Sequence, residues 1–150
     1  MKIAAYVDKE KSAIGRLTQS IINQNPHLDI RLTPLHPKRP DKDQIVKAVE
    51  NFKWCDVALF EYWRCSEKLK EFIKVEGKPT IAHHHNPYDI KRTKKELGEG
   101  LSKNMIFNED DTVSWASMYN MILVHNKSME TEMGYAHRVH HGIDLDLFEF

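Results

Sequence analysis

The sequence predicts an α/β fold: a Rossmann-like parallel sheet with helices on both faces, in a single domain over residues 1–150. Three observations carry this expectation. Short apolar-rich runs at residues 3–7, 55–60, 79–82 and 121–124 read as strands, and the continuous run at 3–7 has the pattern of a buried parallel strand. Between most of them lie stretches whose apolar residues recur at helical spacing. Their alternation implies right-handed βαβ crossovers and a parallel sheet.

The first strand is Ile-Ala-Ala-Tyr-Val at 3–7, and Ser12 is placed to cap a helix that carries Ile14, Leu17, Ile21 and Ile22. Asn25 and Pro26 end that helix. Residues 28–35 alternate Leu28, Ile30 and Leu32 with polar neighbours, the pattern of a strand near the sheet edge, and Pro34, Pro37 and Pro40 close it. A second helix starts at Asp41 or Asp43 with Ile45, Val46, Val49 and Phe52 on one face. The third strand spans 55–60. Ser66 is then expected to cap a helix with Leu69, Phe72 and Ile73, and Gly77 stands where a helix end favours a left-handed residue. Strands at 79–82 and 121–124, a weak helix and loop within 90–111, a short helix at 128–134 and a last strand at 136–140 complete the chain.

A chain of 150 residues, 41% apolar and 29% charged, suits one soluble domain with a real core. Its formal net charge of zero argues against a dedicated nucleic-acid partner. The cluster of Lys91, Arg92, Lys94 and Lys95 reads as a solvated helix face. Cys55 and Cys65 lack metal-ligand spacing and are expected as reduced, buried thiols of a cytoplasmic protein. No apolar run reaches membrane-spanning length and the N-terminal run is too short for a signal segment, which leaves peripheral membrane contact open.

In open parallel sheets, ligands bind outside the carboxyl ends of the strands. The residues that follow the expected strands are Asp8, then His36, then Glu61, Tyr62, Trp63 and Arg64, then His83, His84, His85, Asn86, Tyr88 and Asp89, then His125 and Asn126. This set suits a hydroxylated or anionic small molecule. Arg64 can clamp a carboxylate or phosphate, or form an ion pair with Glu61 or Glu67. Tyr62 and Trp63 can stack on a sugar ring or belong to the core. Strand geometry through the triple histidine puts His83 and His85 on one face and His84 on the other, so the three do not form a metal site without a bend. One of them is expected in the crevice as a hydrogen-bonding or general-base group.

Three segments, in order, carry a resemblance: Ile-Ala-His-His-His-Asn-Pro-Tyr-Asp at 81–89, Met-Ile-Leu-Val-His-Asn-Lys-Ser at 121–128, and His141, Gly142, Ile143, Asp144 with Phe148. Together they resemble the first domain of GT-B glycosyltransferases of glycosyltransferase family 4. The resemblance implies an acceptor-side domain of a retaining enzyme that moves a sugar from a nucleotide-diphosphate sugar to a glycan, lipid or small-molecule acceptor, with no metal or other cofactor in this part. It implies His85 as the catalytic histidine facing the transferred sugar, with Asp8, Ser12, Arg16, Arg64, His84 and Tyr88 as acceptor-binding residues. The family's donor-binding groups belong to a second domain, so this chain is expected to be half of the enzyme and inactive alone. Its partners would be a sugar or glycolipid acceptor and a donor-binding domain or subunit.

The chain departs from the family in one respect. Ser12 and Ala13 stand where a Gly-Gly pair usually lets backbone amides approach a ligand, and Gly15 falls inside the helix. Ser12 at a helix start, with Lys11 and Arg16, can still hold an anion, while Gly15 also fits close packing of the helix. Two other functions compete: a non-catalytic glycan-binding or assembly subunit, and a flavodoxin-like nucleotide-binding domain. The latter lacks a G-x-G-x-x-G turn after the first strand.

Overall fold

The computed structural model describes residues 1–84, 119–125, 127 and 136–139. The elements are β1 (Lys2–Val7), α1 (Ala13–Gln24), β2 (Asp29–Pro34), α2 (Lys42–Trp54), β3 (Val57–Phe60), a 3-10 turn (Trp63–Lys68), α3 (Lys70–Glu76), β4 (Thr80–His84), β5 (Met121–Val124) and β6 (His137–Arg138). All six strands are parallel, in the order β2-β1-β3-β4-β5-β6. The fold is a Rossmann-like α/β sheet.

β1 is an interior strand between β2 and β3, and Ala4, Ala5, Tyr6 and Val7 are all buried, as the continuous apolar run requires. The chain steps outward from β1 to β2, then returns over β1 to β3 and continues the other way. With right-handed crossovers, this reversal sets α1 on one face and α2 and α3 on the other. The Tyr6 hydroxyl donates to Ala48 O of α2 at 3.0 Å, and its ring stacks on Phe60 at 4.7 Å between centroids. Around them the main core gathers Phe52, Ala58, Leu69, Ile73, Ala82, Ile122 and Val124.

Capping decides where the helices begin. Ser12 Oγ accepts from Gly15 N at 3.0 Å to start α1. Asp41 starts α2 through a capping box with Gln44, settling the choice between Asp41 and Asp43. Gly77, at φ +60°, ends α3. Lys78 Nζ donates to the carbonyls of Phe52, Lys53 and Cys55 and so closes the end of α2.

Several expectations need correction. Ser66 is not a helix cap: it lies inside the 3-10 turn, where its hydroxyl donates to Trp63 O at 2.7 Å and meets the Tyr119 hydroxyl. The α2 face turned inward carries Ala48, Asn51 and Phe52, with Val49 packed beside them, while Ile45 and Val46 are exposed. Polar bonds set that rotation, because Asn51 Nδ2 donates to Thr33 Oγ1 at 2.9 Å and Arg31 reaches Asn51 Oδ1 at 3.3 Å. α1 buries Gly15, Thr18 and Ser20 and leaves Ile21 exposed. In α3, Ile73 is buried and Phe72 is exposed. β3 starts at Val57, since Cys55 is the C-cap of α2. The edge position expected for the second strand is observed for β2. The segments expected at 90–111 and at 128–134 lie outside the described residues.

Among the described residues no helix is long and apolar enough to cross a membrane.

Candidate functional site

The order reverses between β1 and β3, and at such a switch point the loops leaving the two strands part and open a crevice at their carboxyl ends. The β1 loop brings Asp8 and Ser12 there, with Ser12 Oγ donating to Asp8 Oδ1 at 2.6 Å. The same hydroxyl lies 2.8 Å from Lys9 O and caps α1. Ser12 thus ties a half-buried carboxylate to a helix N-terminus. Gly15 completes this corner, because a Cβ on it would collide with the carbonyl oxygens of Lys9 and Glu10. The close approach is to the β1 loop rather than to the sheet.

From β3 and β4 come Glu61 and His83. Phe60 is in register with Ala82, so the next residues along the two strands are neighbours on the opposite face from the main core. His83 Nδ1 and Glu61 Oε2 are 2.7 Å apart, and both residues are buried. With Glu61 ionised, Nδ1 donates, and in the neutral ring the lone pair then sits on Nε2. His125, just beyond β5, sets its ring 4.3 Å from that of His83, tilted by 48°. A carboxylate, two imidazoles and the pair of Asp8 and Ser12 therefore line the carboxyl edge across β1, β3, β4 and β5.

Trp63 is buried in the core and Arg64 is half-buried, its guanidinium 5.2 Å from the Trp63 ring centre. Trp63 is thus a core residue that carries Arg64 rather than an open stacking platform. Arg16 is exposed on α1. His84 closes β4 opposite Val124. His85 and Tyr88 lie outside the described residues, as does the closing segment with Gly142. Of the expected site residues, the structure brings Asp8 and Ser12 into direct contact and sets Arg64 after β3, at the same edge of the sheet. The contact it adds is that of Glu61 with His83. Glu61 follows β3 as expected, whereas His83, expected after a strand ending at Ala82, lies inside β4, and their pairing depends on strand register, which the sequence does not carry.

Burial shapes the chemistry beneath this edge. Cys65 donates to Leu35 O at 3.0 Å, and burial, then the charges of Asp8 and Glu67, push its thiol well up from the ordinary range. It is held as a neutral thiol, unsuited to nucleophilic work. Burial likewise raises Cys55, Tyr6 and Tyr119. Among the described residues no group of three or more His, Cys, Asp or Glu converges to hold a metal ion.

Two open grooves flank α2, away from His83. One of about 730 Å³ runs beside Arg31, Val46, Lys47 and Glu50, and one of about 430 Å³ lies among Lys9, Glu10, Pro34 and Asp41. No protein-family model, curated protein or solved structure matches the chain.

Proposed function

We propose that this chain is the acceptor-side domain of a retaining GT-B glycosyltransferase, binding a hydroxylated or phosphorylated acceptor at the carboxyl edge of its sheet. The observation that carries the reading is the buried pair of Glu61 and His83 beside the strand-order reversal. A carboxylate that fixes the tautomer of an imidazole gives a directional hydrogen-bonding group, of the kind that orients a sugar hydroxyl. Asp8 and Ser12 supply further hydroxyl contacts across the crevice, and Arg64 a cation for an acceptor phosphate. His85 remains the catalytic candidate by resemblance, one residue beyond β4. The nucleotide-sugar donor belongs to a further domain or a separate chain, and 1–150 alone transfers no sugar.

Ligand-observed NMR on the purified chain tests this. Glycans or phosphosugars should bind, nucleotide sugars should not, and Glu61→Gln and His85→Ala should each weaken the binding about tenfold or more, the equivalent of one charged hydrogen bond. Tight nucleotide-sugar binding by this chain would overturn the assignment.

A second reading rests on strand order. The sequence β2-β1-β3-β4-β5 is that of flavodoxin-like domains, which bind a nucleotide at the same switch point. Flavin or nucleotide binding that displaces the glycan, or occurs without any glycan binding, would favour it.

A further inference from the structure

Strand β2 is an edge: among the described residues it has β1 on one side and no strand on the other. Leu35 N donates to Val7 O at 2.8 Å, which fixes the sense of the whole edge because peptide groups alternate along a strand. Asp29, Arg31 and Thr33 direct their backbone groups at β1, so those of Ile30 and Leu32 point outward. Pro34 takes an outward position too, where it has no N–H to offer.

We propose that β2 pairs with β2 of a second copy of this chain, antiparallel about a two-fold axis at Ile30, which joins two six-stranded sheets into one. Charge selects the register. An axis at Arg31 would oppose two arginines, and one at Asp29 two aspartates. An axis at Leu32 would set Pro34 against Ile30 and lose ladder bonds. The axis at Ile30 lets the two Ile30 residues exchange both backbone bonds and sets Asp29 against Arg31 of the other copy, twice over. Asp29 and Arg31 are both exposed, and Arg31 is held beside the edge by its stacking on Trp54 and its bond to Asn51 Oδ1. On the opposite face, Leu28 meets Leu32 and Ile30 meets Ile30, an unbroken apolar row from residues that are half-buried in one copy. Charges at a sheet edge normally guard it against pairing. Here the two are opposite in sign and spaced to neutralise each other under two-fold symmetry. The groove of about 730 Å³ beside β2, with Val46 of α2 47% exposed on its wall, gives the second copy's α2 a place to lie.

Analytical ultracentrifugation over a concentration series reads the result. The chain should reach twice its 17.6 kDa mass. Asp29→Arg and Arg31→Asp should each weaken the dimer about tenfold, since each turns two attractive pairs into repulsive ones. The two variants mixed should associate again as a heterodimer. Ile30→Pro, which removes the outward N–H from the ladder together with the half-buried Ile30 side chain, should abolish dimerisation with the circular dichroism spectrum retained. A monomer at every concentration overturns the proposal, as does a mixture that fails to associate. Arg31 also stacks on Trp54 at 3.7 Å, so Arg31→Asp risks the fold. Asp29→Arg then decides alone, and a dimer of unchanged strength in that variant overturns the proposal.

Discussion

Ser12 and Gly15 show how much of the candidate site rests on single atoms. The Ser12 hydroxyl both caps α1 and holds Asp8, so Ser12→Ala should cost about 1 kcal/mol of stability and loosen the carboxylate at the crevice. Denaturant unfolding reads the first effect and acceptor affinity the second. Gly15 has backbone oxygens where a side chain would go. Carbonyl groups cannot swing aside as a flexible side chain can, so Gly15→Ala should lower the unfolding midpoint despite the better helix propensity of alanine. Helix caps are legible in a sequence because they act within a few residues: Ser12, Asp41 and Gly77 all fall where local pattern places them. The contact of Glu61 with His83 was not legible. It joins residues 22 positions apart through the register of β3 and β4.

At the scale of elements, apolar runs mark β1, β3, β4 and β5, but β1 alone of these has its apolar run buried on both faces, while β3 and β5 bury alternate residues. Helix faces are less legible. The apolar periodicity of α2 points to Ile45 and Val46, yet the helix is rotated so that Asn51 reaches Thr33 and Arg31, and Ala48 accepts from Tyr6. Buried polar bonds override a few exposed aliphatic residues, since an unpaired buried amide costs more than the burial of those side chains returns. Ser66 misleads for a similar reason: its hydroxyl is used within the 3-10 turn and against Tyr119, which is 53 positions away. The end of α2 offers a direct check. Lys78→Met removes a cation from three carbonyls and should cost about 1–2 kcal/mol in urea unfolding. A variant as stable as the parent would show the clamp to be incidental.

At the scale of the whole molecule, one pH dependence and one site follow. Burial holds the Cys65 thiol and the Tyr6 and Tyr119 hydroxyls protonated in the fold, with pKa values raised above those of the unfolded chain. Below about pH 8 both states keep these protons, and the groups give no slope. Above about 8.5 for the thiol and about 10 for the phenols, the unfolded chain releases protons that the fold retains, so stability should fall as pH rises. Urea midpoints between neutrality and pH 10.5 read that slope. The reversal of strand order between β1 and β3 underlies the proposed site, since Asp8, Ser12, Glu61, His83 and His125 all lie toward the carboxyl edge of the sheet. The most direct measurement is a backbone amide shift map of the isotope-labelled chain during titration with a phosphosugar. The largest shifts should fall on residues 8–15, 61–64, 83 and 125. Shifts confined to the groove around Arg31, Val46 and Lys47, or none with any sugar, would contradict the proposed site.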